Sequence, residues 1–78
     1  MNTIKDEFDK FADQVIAKDA PEVQISEMQL AFYAGTFSTL MLIRNVIANP
    51  SLSEDASVNL LMNWLNESND FIKSRCML

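Results

Sequence analysis

The sequence predicts an all-α chain: a three-helix antiparallel bundle with a long, apolar central helix, assembled as a homo-oligomer. Three observations point there. Apolar residues recur at intervals of three and four along most of the 78 residues, the period of a helix face. No window alternates apolar and polar residues between turn signals as a strand would. The stretches between the helical segments are short, which favours an up-down-up course.

The first helix is expected over residues 3–18. Ile4, Phe8, Phe11 and Val15 are spaced 4, 3 and 4 and share one face. Thr3 is a candidate cap, and Asp6, Glu7 and Asp9 complement the dipole of the first turns. Ala20-Pro21 interrupts this helix, because the residue before a proline is pushed out of the helical region. Asp6, Glu7, Asp9 and Asp13, interleaved with Lys5 and Lys10, read as a solvated face with local ion pairs.

The second helix is expected over residues 22–48. Pro21 favours an early start, whereas Ser26 and Gln29 have the spacing of a later capping box. The early start is preferred. Asn49-Pro50 ends the helix, since Pro50 cannot donate a backbone hydrogen bond. The third helix is expected over residues 53–75, with Ser51 (paired with Glu54) and Ser53 as alternative caps. Val58, Leu61, Leu65 and Ile72 follow its period, widened by Leu60, Trp64 and Phe71.

Length allows one domain, residues 1–78, because a second core would need roughly 50 more residues. Half the side chains are apolar, at 49%, which rules out a disordered chain. Those side chains are not evenly spread. Residues 30–53 carry one charge, Arg44, while the central helix holds Phe32, Tyr33, Phe37, Leu40, Ile43 and Val46 among others. A helix apolar on all sides must be covered on all sides, and two shorter helices cannot wrap it. The expectation is a second copy against this helix, forming a homo-oligomer, a dimer in the first instance.

Within that helix, Ala31, Gly35 and Ser38 lie on one edge, and Phe37 and Leu42 are large apolar neighbours. Gly35 costs about 1 kcal/mol against Ala in a helix, so close approach of another backbone would justify it. The approaching backbone belongs either to a flanking helix of the same subunit or to another subunit.

Gln29, Tyr33, Thr36, Leu40 and Arg44 fall on one stripe of the same helix. Arg44 either snorkels or pairs with an acidic residue of a neighbouring helix, or grips an anion with Tyr33 stacking and Thr36 donating. Two copies would be needed to close such a pocket.

Composition excludes most catalytic chemistry. There is no His, so the Ser-His and Cys-His pairs are absent. Single Gly and Cys counts leave no phosphate loop, disulfide framework or thiolate zinc site, and no cofactor or metal is expected. Cys76 lies beside Lys73 and Arg75 and reads as an incidental terminal thiol. The chain is expected not to be an enzyme.

Eleven acidic against six basic residues give a net charge of −5, which disfavours direct binding to duplex nucleic acid. The N-terminal residues do not form a signal peptide, and the uncharged run 28–43 is 16 residues long, short of a bilayer span of about 20. A cytoplasmic protein without membrane attachment is expected.

The stretch Gln29-Leu30-Ala31-Phe32-Tyr33-Ala34-Gly35, followed by Leu52-Ser53-Glu54-Asp55, resembles small acidic helical proteins encoded by tailed bacteriophages. The resemblance implies a phage or prophage accessory factor in the bacterial host cytoplasm. Such a factor would bind and modulate a host protein, for instance a component of a defence system. A small-molecule sequestering protein, holding a nucleotide signal between subunits at Arg44, Tyr33, Thr36 and Gln29, is the alternative reading.

Overall fold

The computed structural model describes residues 2–76, the side chain of Cys76 excepted. The reading of Cys76 as an incidental thiol therefore concerns a side chain outside those described. The described residues form three helices and no strand: α1 (Ile4–Val15), α2 (Glu22–Ile47) and α3 (Glu54–Cys76). The all-α expectation holds. The chain divides into two compact units, residues 1–41 and 42–78, with α2 contributing to both.

In the first unit, Thr3 caps α1 as expected. Its Oγ1 accepts from the Asp6 N–H at 3.2 Å, and its own N–H donates to Asp6 Oδ2 at 2.9 Å. This reciprocal pair satisfies two backbone donors that a helix start would otherwise leave to water. Hydrogen bonding from the Thr3 backbone N–H, and then from the Thr3 side chain, holds the Asp6 carboxyl below its ordinary value of 3.8. On the exposed side, Lys5 pairs with Asp9 at 3.0 Å and Lys10 with Glu7 at 3.3 Å. These are exposed local pairs and add little stability each.

The first helix ends at Val15, three residues before the expected Lys18. Ile16 leaves the helix with an extended backbone (φ −89°, ψ 128°), keeps one hydrogen bond from its N–H to the Ala12 carbonyl, and buries its side chain. An apolar residue turned inward here ends the helix before Pro21 would have. A turn with Ala20 N–H donating to the Ala17 carbonyl then leads into α2.

Pro21 is the entry to α2, its carbonyl accepting from the Ile25 N–H at 3.1 Å. The early start is therefore correct, and Ser26 and Gln29 lie inside the helix. Along this part of α2, Ile25, Met28, Phe32 and Thr36 are partly covered, at spacings of 3, 4 and 4, and Phe32 meets α1. The centre of this unit is aromatic. Phe8 is buried, and its ring lies 5.5 Å from Phe32, 6.1 Å from Phe11 and 6.3 Å from Tyr33. Phe11 closes the group at 5.2 Å from Phe32.

In the second unit, Val46 is the buried residue of the α2 end. Beyond Ile47, the Asn49 side chain accepts from the Ser51 N–H at 2.9 Å and its carbonyl accepts from the Leu52 N–H. That Asx-type turn occupies Ser51 and leaves the cap to Ser53, whose Oγ accepts from the Ala56 N–H at 3.1 Å. Ala56, Ser57, Leu60, Leu61 and Trp64 are the partly covered residues along α3, with Leu52 before it. Val58, Leu65, Phe71 and Ile72, expected on the inward stripe, are exposed instead. Near its end the Arg75 guanidinium lies 5.3 Å from the centroid of the Phe71 ring.

Candidate interaction surface

The surplus of apolar residues in α2 is not absorbed by the chain. Leu30 is 71% exposed, Phe37 66% and Ile47 75%, and Val23, Leu40 and Leu42 are exposed as well. The reason is one of phase. In the first unit the partly covered stripe of the helix is Ile25–Met28–Phe32–Thr36, and its remaining circumference is nearly as apolar as that stripe. Among the described residues only Phe8, Ile16 and Val46 are buried, and no polar side chain is. What this surface offers chemically is apolar contact area, of the kind that marks an interface on a small protein.

The residues expected at an oligomer interface are all exposed: Ala31, Gly35, Phe37, Ser38 and Leu42. At Gly35 a Cβ would meet nothing within 4 Å. Among the described residues, none makes the close approach that would justify this glycine.

The four expected ligand-binding residues are distributed differently. Gln29 and Tyr33 line one open groove, together with Ser26 and Leu30, which were not expected among the ligand-binding residues. Tyr33 leans on the aromatic centre, its ring 6.3 Å from both Phe8 and Phe32. Thr36 donates its hydroxyl to the Phe32 carbonyl at 2.8 Å, so that donor is spent within the helix. Arg44 belongs to the second unit. A second depression in the first unit is lined by Ala12, Asp13, Ile16, Ala17, Lys18 and Ile25, at the turn after α1. Among the described residues no cluster of three or more His, Cys, Asp or Glu could hold a metal ion.

By length and composition α2 could also cross a membrane. Its best 18-residue window has a mean hydropathy of 1.3, and 6% of that window is buried. The core helix of a soluble protein meets the same length and hydropathy, but is mostly buried.

No family model, curated protein or solved structure matches the chain.

Proposed function

We propose that the chain is a non-catalytic interaction protein that self-assembles through α2 and, so assembled, binds and modulates another protein. The exposed apolar length of α2 is the observation that carries this reading. Large exposed side chains such as Leu30, Phe37 and Leu40 need a cover, which a second copy of the same helix would supply. A surface with a net charge of −5 then suits a partner with a basic face. The likeness of residues 29–35 and 52–55 to tailed-phage accessory proteins supplies the setting: the cytoplasm of a bacterial host, with a host protein such as a defence component as target.

A bilayer would cover α2 less well than a second copy. The uncharged run 28–43 extends about 24 Å at 1.5 Å per residue. That falls short of a hydrocarbon core of about 30 Å, and Arg44 and Asn45 follow at once.

A second reading is supported by the groove at Gln29 and Tyr33, two of the residues that would hold a small molecule. In it the assembly sequesters a nucleotide signal, with Arg44 of another copy meeting the phosphate.

Light scattering together with a lysate pull-down tests the main reading. The expected result is a dimer or larger assembly that retains one protein saturably. A monomer with no saturable protein partner would refute it. Calorimetry against a nucleotide panel tests the second: stoichiometric heat abolished by Arg44→Ala supports it, and no heat removes it.

A further inference from the structure

Resting on the self-assembly reading above, we propose that two copies of this chain pair along α2 in antiparallel orientation, through a heptad seam centred near residue 35. Stepping by alternate threes and fours from Val23 to Ile47, every residue of α2 reached is exposed. Six of the eight are apolar or aromatic, the exceptions being Ser26 and Arg44. A mean spacing of 3.5 is that of a coiled-coil seam, in which a neighbouring helix follows the stripe along its length. The positions bordering the middle of this stripe, from Gln29 through Ala34 and Thr36 to Met41, carry no charge. A second copy of the same helix therefore meets no repulsion there.

Charge decides the orientation. In a parallel pair Arg44 would stand against Arg44 inside the seam. In the antiparallel pair each seam residue meets one of the other kind: Val23 faces Ile47, Leu30 faces Leu40 and Tyr33 faces Phe37. Arg44 then falls opposite Ser26, the smallest residue of the stripe, with Glu22 and Glu27 of the other copy alongside. The register is also distinguished. Slipping by one heptad one way sets Arg44 against Tyr33 in the body of the seam. Slipping the other way carries it past the end of the partner helix.

The groove described above has the matching shape. Ser26, Gln29, Leu30 and Tyr33, which line it, are the four-residue diamond of a coiled-coil hole. In this register the side chain entering it is Leu40 of the other copy. The Ala31–Gly35–Ser38–Leu42 edge lies on a different side of α2, so of the residues expected at an interface from sequence only Phe37 belongs to the seam.

Cross-linking tests the pairing, in a Cys76→Ser background with helicity checked by circular dichroism. Val23 and Ile47 are about 36 Å apart along a helix. Mixed Val23→Cys and Ile47→Cys chains should form a disulfide dimer, and neither variant should do so alone. Mixed Leu30→Cys and Leu40→Cys chains should behave in the same way. Arg44→Glu should weaken dimerisation by roughly tenfold or more, and adding Glu27→Arg should restore most of it.

Cross-linking of each variant with itself would make the pair parallel and overturn the proposal. A dimer by light scattering that yields neither mixed cross-link would overturn this seam while leaving self-assembly intact. A wild-type monomer would overturn both, and one that co-sediments with anionic phospholipid vesicles would assign the face to a membrane.

Discussion

The Phe8 ring meets Phe32 edge-on, with centroids 5.5 Å apart and planes inclined by 67°. This is the favoured geometry for two aromatic rings, the positive edge of one against the negative face of the other. It joins α1 to the first half of α2 and anchors the one aromatic cluster of that unit.

Phe8→Ala should accordingly cost about 3 kcal/mol in urea unfolding, the low end for a Phe→Ala change because its neighbours are only partly covered. Phe71→Ala, at an exposed ring, should cost under about 1 kcal/mol. Equal losses would show that Phe8 is not the anchor.

Acidification should loosen the start of α1. The Asp6 carboxyl is held below 3.8 by its hydrogen bonds with Thr3, so it titrates lower in the folded chain than in the unfolded one. Its contribution is present above the unfolded value and is lost as pH falls through the folded one. Comparing wild type with Asp6→Asn by circular dichroism isolates this effect. The difference between them should shrink as pH drops below about 4. A difference that stays constant would sink the assignment.

At the start of α3 the two serines should respond unequally. Ser53→Ala should destabilise by about 1 kcal/mol, since it removes the oxygen that accepts from the Ala56 N–H. Ser51→Ala should change stability by less than about 0.5 kcal/mol, because Ser51 contributes its backbone N–H to the Asn49 turn and that bond remains. Thermal melts of both variants check this, and the reverse order would move the cap to Ser51.

Gly35 lies on the Ala31–Ser38 edge of α2, away from the proposed seam. Open space around it means that Gly35→Ala should stabilise the helix by about 0.5–1 kcal/mol without loss of self-association. Gly35→Leu should likewise leave the assembly intact. Loss of the dimer in either variant, read by light scattering, would shift the interface to the Ala31–Ser38 edge.

Much of this architecture was legible in the residues, and the reasons are local. Thr3 with Asp6, Pro21, and Asn49-Pro50 act through their immediate neighbours, so the starts of α1 and α2 and the end of α2 could be read directly. The end of α1 could not, because no glycine or proline stands between Val15 and Ala20 and the stop comes from burial of Ile16. The choice between Ser51 and Ser53 depended on a side-chain hydrogen bond from Asn49.

The covered face of α2 was hidden for another reason. A helix apolar nearly all round has no phase in its pattern, and only the positions of Phe8 and Phe11 single out Phe32 as inward and Phe37 as outward. The 3.5-residue stripe was present in the sequence but broken by Ser26 and Arg44. It became visible once the partly covered 3.6-residue stripe had been separated from it.

The scarcity of buried residues bears on how this chain answers to its own abundance. Each compact unit has roughly 40 residues, the size below which a fold usually needs a disulfide, a metal or a companion chain. Phe8 and Ile16 serve the first unit and Val46 the second. If α2 supplies the companion, ordering and association become a single equilibrium, and the melting midpoint climbs with protein concentration. Expression level then acts as a switch: a sparse chain is fragile and open to proteolysis, and a plentiful one is durable.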